Sequence, residues 1–280
     1  MMNKKLEPII SFEQLFSLQK SSENLVLIDV RSGVNATNQY KTAHIEGAIY
    51  VNLEQDLSEI QEDTTNGGRH PLPPLHKFSH FLGQLGITPN SHVVVYDDSF
   101  AGNGAARFWW MLRAVGHKKI QVLDGGLKYA LIHGYPMSQT PTLPVGTSDY
   151  PVTHWRLGIV TIDQVKEATQ NPQKVIVDVR AEERYLGIKE PIDLVAGHIP
   201  NAINMPYFEN MDDEGLFLSK EILREKYNKL FHHHTKDEII FHCGSGVTAC
   251  HSLLAIDYSG LPIPILYVGS WSEWYKNNEE

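Results

Sequence analysis

Residues 25–31 read LVLIDVR, and residues 174–180 read KVIVDVR. Two further pairs follow in the same order: AHIEGAI at 43–49 matches GHIPNAI at 197–203, and HVVVYD at 92–97 matches EIIFHC at 238–243. Several motifs repeated in one order are the signature of a duplicated structural unit. The chain is therefore expected to fold as two copies of the same unit.

The pattern within each copy predicts an α/β fold. Short runs rich in Val and Ile alternate with helical segments, which is typical of a mainly parallel sheet with helices on both faces. Each copy opens with a predicted helix, at 11–19 and at 161–169, and the N-caps are Ser11 and Thr161.

A stretch rich in Pro, Thr, Ser and Gly separates the copies at 138–151 and predicts a linker. We therefore predict an N-terminal domain at 1–137, a linker at 138–150 and a C-terminal domain at 151–280. Each domain would then have an ordinary size.

Composition excludes several classes of protein. The 280 residues carry a net charge of −9, with 42% hydrophobic and 20% charged residues, which indicates a folded, soluble protein. The acidic charge argues against general binding to nucleic acid or anionic membranes. Two cysteines seven residues apart cannot build a disulfide framework, and no signal peptide or run of 18 apolar residues occurs. We expect a cytoplasmic protein.

The loop FHCGSGVTAC at 241–250 carries the strongest chemical signal. Cys243 follows a predicted strand and precedes a predicted helix at 247–258. Backbone amides converge at such a junction and the helix dipole is positive there, so a thiolate is favoured over a thiol. A buried structural cysteine is the alternative, but Gly244 and Gly246 indicate a backbone folded tightly around the centre of the loop. Cys243 is therefore the candidate nucleophile.

The first copy differs at this loop. Residues 97–104 read DDSFAGNG, so Asp97 stands where the second copy has Cys243 and no thiol is present. Only the second copy is expected to carry nucleophilic catalysis at this position.

The first copy is also longer between its second and third motifs. The extra residues fall in 59–74, a polar stretch rich in Gly and Pro that includes Arg69 and His70. Long loops in compact domains are often functional, so we predict a functional role for this segment and not that of a plain surface loop.

Taken together, these motifs resemble those of the two-domain rhodanese family. Further matches are AARFWWMLR at 105–113, LDGG at 123–126 and GSWSEW at 269–274. The loop at Cys243 is similar to that of the 3-mercaptopyruvate sulfurtransferases. The resemblance implies two tandem rhodanese-like domains, of which the N-terminal one is non-catalytic and the C-terminal one carries the nucleophile.

The resemblance also implies a two-step sulfur transfer without a metal or cofactor. Cys243 would take sulfur from a small-molecule donor as a persulfide and pass it to a thiol acceptor, such as a thioredoxin-like protein or a low-molecular-weight thiol, or to cyanide. Ser245, His70 and Glu54 would form a proton relay, as carried over from the family. Asp56 and Asp63 remain alternatives to Glu54, since either carboxylate lies close to it in the sequence.

Donor binding is assigned by the same resemblance. Arg184 matches a substrate arginine, Arg69 is a second candidate, and Asp193 stands where a further substrate arginine would lie. The remaining expected substrate contacts are Gly244, Gly246, Val247 and Thr248. Thiosulfate-specific members carry Arg-Lys inside the loop where this chain has Gly-Ser, so we expect 3-mercaptopyruvate ahead of thiosulfate as the donor.

Other chemically suggestive residues are expected to be structural. Asp178 with Arg180, and Asp29 with Arg31, recur in both copies and so cannot explain the activity of one. Cys250 is expected to be a small apolar helix residue, with a resolving thiol as the alternative. The run His232-His233-His234 is expected to be a solvated loop, because consecutive residues do not converge on a metal.

Two other functional classes were weighed. A Cys-x5-Arg phosphatase needs a cation on the transferring oxygens, and the required position holds Ala249. A non-catalytic module that relays or binds persulfide uses the same loop and stays open at this point.

Overall fold

The computed structural model describes residues 6–22 and 24–278, which form two compact units. The first unit contains residues up to 57 together with 73–156 and 213–217. The second contains 58–72 and 157–212 and the residues from 218 onward. The segment 58–72 therefore belongs to the unit that carries Cys243, although it lies within the first half of the sequence.

The first unit is an α/β unit with a central parallel sheet. Its strands are β1 (Ile9–Ile10), β2 (Leu25–Arg31), β3 (His44–Ile45), β4 (Ile49–Asn52), β5 (His92–Tyr96), β6 (Ile120–Leu123) and β7 (Met137–Ser138). Its helices are α1 (Phe12–Ser21), α2 (Ala36–Thr42), α3 (Leu53–Asp56), α4 (Leu75–Gln84), α5 (Gly104–Ala114) and α6 (Gly126–Ile132).

The strand order of the main sheet is β1-β6-β5-β2-β4, and every pairing in it is parallel. The central strand β2 is in register with β5 from Leu25 opposite His92 to Asp29 opposite Tyr96. Its inner residues are buried, as expected for a sheet covered on both faces. Strands β3 and β7 form a separate antiparallel pair.

The second unit repeats this architecture. Its strands are β8 (Val175–Asp178), β9 (Ile203–Asn204), β10 (Ile239–His242) and β11 (Ile265–Leu266). Its helices are α7 (Ile162–Ala168), α8 (Glu182–Tyr185), α9 (Lys220–Phe231), α10 (Ala249–Tyr258) and α11 (Ser270–Lys276), with a 3-10 turn at Tyr207–Asn210. The parallel order β11-β10-β8-β9 corresponds to β6-β5-β2-β4 of the first unit. The predicted fold class is confirmed.

The capping signals in the sequence were read correctly. Ser11 and Thr161 each accept the amide hydrogen of the glutamine three residues later, and that glutamine caps the N-cap amide in return. Such reciprocal capping satisfies two amides that would otherwise lack acceptors at the helix start.

Buried ion pairs recur at the strand ends of both units. Arg31 pairs with Asp29 at 2.7 Å and donates to the carbonyl of Ala43 at 2.6 Å. Arg180 pairs with Asp178 at 2.7 Å and donates to the carbonyl of Gly197 at 2.6 Å. Because both units keep the whole arrangement, we infer that these pairs fasten the next chain segment to the sheet.

The stacked His–Tyr pairs also correspond. His44 stacks on Tyr40 and His198 stacks on Tyr185, with centroid distances of 3.9 and 4.1 Å. The tyrosine and histidine are four residues apart in the first unit and 13 in the second. The second unit therefore carries its insertion between Tyr185 and His198.

Among the described residues, no helix combines the length and the apolar character that crossing a bilayer requires.

Candidate active site

Cys243 directly follows β10, and its side chain is buried, with the residue only 2% exposed. Its amide donates to Ser270 Oγ at 3.1 Å, and its carbonyl accepts from the amide of Trp271 at 3.0 Å. Ser270 itself adopts a φ of 54°, an uncommon value for a residue with a side chain. The start of α11 therefore fixes the backbone of the nucleophile from both sides.

The loop after Cys243 requires glycine at position 246. Gly246 has a φ of 72°, and a Cβ atom there would lie 2.3 Å from the carbonyl oxygen of Val268. The carbonyl of Gly244 accepts from the amide of Ser272 at 2.9 Å. The loop is thus held against residues 268–272 at a distance that a side chain at 246 would prevent.

Several amides of this loop lack an acceptor in the protein. Within residues 6–22 and 24–278, the backbone amides of Gly244, Ser245, Val247 and Thr248 donate to no protein group, although the first three of these residues are buried. Helix α10 begins at Ala249 without a side-chain cap, so its positive end adjoins the loop. Buried amides normally have partners, so this loop is built to receive an anion.

The corresponding loop of the first unit already holds an anion of its own. Asp97 follows β5 as Cys243 follows β10, and its Oδ1 accepts from the amides of Ser99 and Ala101 at 2.9 Å each. Its Oδ2 accepts from Ala105 at 3.1 Å. In the first unit, the carboxylate therefore occupies the position among the loop amides. In the second unit, the equivalent position is open to a ligand or a sulfur anion.

Asp97 should make the stability of the first unit depend on pH. Burial raises its pKa to about 6 from 3.8, despite the three amides. A raised pKa stabilises the fold below the unfolded value, and this contribution is lost as the pH rises through the folded value. We expect wild type to lose about 3 kcal/mol relative to Asp97→Asn between about pH 3, below the unfolded pKa, and about pH 7.

Urea unfolding of both proteins across this range, followed by signals from the first unit, measures the difference. The exposed Asp149, replaced by Asn, is the control for the loss of a carboxylate from the same unit. A pH-independent difference for Asp97→Asn would contradict the assigned ionisation.

His242 links the nucleophile to the buried Asp178–Arg180 pair. Its Nδ1 lies 3.1 Å from the carbonyl oxygen of Cys243, and its Nε2 lies 3.7 Å from Asp178 Oδ2. Burial lowers the pKa of His242, although Asp178 opposes this effect. A neutral imidazole therefore lies behind the nucleophile and orders the strand end.

His70 and Ser245 are brought together in the second unit. The His70 Nδ1 atom lies 2.8 Å from Ser245 Oγ, with Ser245 only 7% exposed. Glycines make this approach feasible, because Gly68 has a φ of 72° and its Cβ would lie 2.3 Å from the carbonyl oxygen of Gly269. The amide of Gly67 also donates to Glu273 Oε1 at 2.7 Å. The segment 58–72 thus delivers an imidazole to the nucleophile loop within one unit.

The carboxylate that orients His70 stays a prediction. Glu54 lies on α3 in the first unit. Asp63 accepts from both the amide and the hydroxyl of Thr65, and Asp56 accepts from the amide of Asn52. Each alternative carboxylate is therefore engaged close to its own position in the chain.

Arg184 and Arg69 both flank Gly244. A Cβ at Gly244 would lie 3.1 Å from Arg69 Nη2 and 3.4 Å from Arg184 Nη2. Arg184 is paired with Glu190 at 2.6 Å, and Arg69 is paired with Asp193. Two guanidinium groups beside Gly244 form a position that can bind an anion.

Sequence reasoning missed the residues that hold this arrangement in place. The hydroxyl oxygens of Ser270 and Ser272 accept hydrogen bonds from the amides of Cys243 and Arg69, at 3.1 and 3.0 Å respectively. The carboxylate of Glu190 accepts from the guanidinium group of Arg184. The GSWSEW motif contains both serines and was the signal for them in the sequence. The pairing of Glu190 depends on a loop insertion and had no signal in the sequence.

The other flagged residues are placed as follows. Cys250 is buried on α10 and donates its thiol to the carbonyl of Gly246 at 3.4 Å. His232 follows the end of α9, and within the described part of the chain no group of three or more His, Cys, Asp or Glu side chains is arranged to hold a metal. Ala249, at the position of the phosphatase arginine, is a buried residue of α10.

Comparison with known proteins agrees with this fold. A family model for the rhodanese-like domain matches residues 12–130 and 161–277. The chain is 35% identical over 269 residues to a probable 3-mercaptopyruvate sulfurtransferase of Pseudomonas aeruginosa, covering 93% of each chain. It is 36% identical over 247 residues to a thiosulfate sulfurtransferase of Cricetulus griseus, covering 86% of this chain and 80% of that one. A 3-mercaptopyruvate sulfurtransferase structure from Leishmania major matches with a TM-score of 0.80 at 27% identity, covering 98% of this chain and 76% of that one.

Proposed function

This chain belongs to the rhodanese family, and from that premise we propose that it is a sulfurtransferase that uses 3-mercaptopyruvate or a closely related thiol donor. Sulfur passes from the donor to Cys243 and then, as a persulfide, to a thiol or to cyanide. The first step converts the Cys243 thiolate to a persulfide and the second regenerates the thiolate, so neither step needs a metal or a redox cofactor.

In the first step, the Cys243 thiolate attacks the sulfur of the donor. A sulfur–sulfur bond forms while the donor's carbon–sulfur bond breaks, and the bonding electrons pass to the carbon next to the keto group. That carbon takes up a proton, so the thiol donor leaves as pyruvate and Cys243 carries a persulfide. Dividing the transfer into two covalent steps lowers the barrier of each.

The hydrogen bond between Ser245 and His70 carries the preference for a thiol donor. A thiol must lose its proton while the leaving carbon gains one, and a hydroxyl bonded to an imidazole at 2.8 Å is a suitable route. Thiosulfate has no thiol proton and leaves as sulfite, so it needs no such route. The uncharged Gly244 and Ser245 also supply no fixed positive charge inside the loop for a dianion.

The amides of the loop serve both halves of the reaction. Four amides find no protein acceptor in the part of the chain that the structure describes, and these amides of Gly244, Ser245, Val247 and Thr248 are available to an anionic sulfur. The carboxylate of Asp97 fills the equivalent place in the first unit. We infer that the terminal persulfide sulfur, which is also an anion, takes the place of that carboxylate in the second unit.

Thiosulfate is the second candidate donor. Arg69 and Arg184 beside Gly244 favour anions in general, and the relatives carry both names. The arginines would bind the carboxylate of 3-mercaptopyruvate or the sulfonate oxygens of thiosulfate.

For the second step we propose a thiol acceptor, either a thioredoxin-like protein or a low-molecular-weight thiol. Its thiolate attacks the outer persulfide sulfur and releases the Cys243 thiolate. We also propose a cytoplasmic, reducing setting, because Cys243 must be a free thiol to accept sulfur.

Steady-state assays with both donors and one acceptor test this proposal. We expect kcat/KM to be about tenfold or more higher with 3-mercaptopyruvate than with thiosulfate, since only the thiol donor uses the relay. Equal or faster turnover of thiosulfate would contradict the donor preference. A single round of loading followed by negligible turnover with every small acceptor would instead favour a sulfur-relay module.

A further inference from the structure

A buried charge cluster adjoins the nucleophile loop on one side. It contains Arg69, Arg184, Glu190 and Asp193, whose side chains are 25%, 17%, 3% and 1% exposed. The two carboxylates are thus more deeply buried than the two arginines that they hold. Buried charges are not screened by salt as surface charges are, so each of them affects the binding of a charged ligand.

Asp193 bridges the two arginines. Its Oδ1 is bonded to Arg69 Nη1, and its Oδ2 lies 3.4 Å from Arg184 Nη2. The amide of Asp193 donates to Glu190 Oε1 at 3.1 Å, and the same oxygen accepts from Arg184 Nη2 at 2.6 Å. The turn at 190–193 therefore holds both guanidinium groups in place through two carboxylates.

The outer nitrogens of the arginines face the loop. Arg69 Nη2 and Arg184 Nη1 lie 3.1 and 3.6 Å from the position of a Cβ on Gly244. Within residues 6–22 and 24–278, neither of these two nitrogens has a protein acceptor. Arg184 Nη2, which binds both carboxylates, lies 3.4 Å from the same position. Asp193 thus binds one nitrogen of each arginine and leaves Arg69 Nη2 and Arg184 Nη1 to the donor.

The charges of the cluster cancel. Two guanidinium groups face two carboxylates, and the neighbouring Arg180 is paired with Asp178 at 2.7 Å. A donor with one negative charge can accept hydrogen bonds from the free N–H groups without strong electrostatic repulsion from the carboxylates. A dianion contacts the same N–H groups, but the cluster has no net positive charge. It therefore binds a dianion more weakly than two unpaired arginines would.

We propose that Asp193 determines donor specificity by bridging Arg69 and Arg184 and removing one positive charge from the donor site. The site consequently accepts a monoanionic thiol donor ahead of the dianionic thiosulfate. This inference rests on the proposed function, because it assumes that Cys243 receives sulfur from a small anionic donor. It assigns Asp193 a positioning role and no contact with the reacting sulfur.

The test compares wild type with Asp193→Asn, which removes the charge and keeps the shape. We expect kcat/KM for thiosulfate to rise about tenfold, mainly through a lower KM, while kcat/KM for 3-mercaptopyruvate changes by less than about threefold. Asp193→Glu keeps the charge and should retain the wild-type donor ratio.

The matched control is Asp237→Asn, which removes the same charge from a side chain that is 69% exposed and pairs with Lys236. It should leave the donor ratio unchanged. If Asp193→Asn does not accumulate as folded protein, Asp193→Ser removes the same charge and must shift the ratio in the same direction. An unchanged ratio, or an equal loss with both donors, would overturn the proposal by reducing Asp193 to a packing role.

Failure of the proposed function itself has a different signature. Intact mass after treatment of wild type with each donor reports whether Cys243 gains sulfur. Loading from neither donor would overturn the proposed function and this inference together. Loading of wild type with an unshifted ratio in Asp193→Asn would overturn only the role of Asp193.

Discussion

Replacing Cys243 with serine should abolish sulfur transfer and lower turnover by about a thousandfold or more. A serine hydroxyl is far less acidic than a thiol, and it cannot form the sulfur–sulfur bond of a persulfide. Serine is close to cysteine in size, so the buried strand end should remain folded. Intact mass after donor treatment should show no added sulfur in this variant.

Cys250→Ser is the matched control for this experiment. Cys250 is the other cysteine of the chain and is buried seven residues later on α10. A hydroxyl can keep the hydrogen bond to the carbonyl of Gly246, so sulfur loading should persist in this variant. Added sulfur that remains in Cys243→Ser, or that is lost only in Cys250→Ser, would disprove the assignment of the nucleophile.

Replacing His70 with alanine should have the second largest effect, and its size should depend on the donor. We expect kcat with 3-mercaptopyruvate to fall by about a hundredfold or more, because the Ser245 hydroxyl loses the imidazole that takes its proton. The fall with thiosulfate should stay below about tenfold, since that donor has no thiol proton. Parallel kinetics with the two donors measure the contrast.

Two further variants make the test specific. Ser245→Ala should reproduce the donor-dependent loss, and the double variant should lose little more than the more damaging single replacement, because the two side chains act as one relay. The exposed His233, replaced by alanine, controls for the loss of a histidine in the same unit. Equal losses with both donors would show that His70 holds the loop in place and does not move protons.

Much of the fold was predictable because local patterns were consistent with one another. The Val- and Ile-rich runs became parallel strands in the same order in both units, and the caps at Ser11 and Thr161 formed as expected. The helix after Cys243 begins at Ala249 and not at 247, because the loop continues through Thr248 and includes the left-handed Gly246. Sequence periodicity does not show at which residue a functional loop ends and its helix begins.

The site was predictable in part. Cys243, Ser245 and the flanking glycines lie together because they are neighbours in one loop, and a local motif defines such a group. Arg69 and His70 lie far from this loop in the sequence, with 175 residues between His70 and Ser245. Only a difference in length between the two copies indicated a role for their segment. The structure adds that the segment 58–72 packs as part of the second unit.

The sequence by itself determined the duplication, the α/β class and the presence of a thiol in the loop of one copy, because short-range patterns and their repetition specify these features. Only the tertiary structure showed that Asp97 accepts from three amides in the loop of the first unit, while the loop of Cys243 leaves four without a protein acceptor among the described residues. Only the structure, too, placed Asp193 between Arg69 and Arg184. Hydrogen bonds and ion pairs between distant segments depend on how the whole unit packs, and no local pattern specifies that packing.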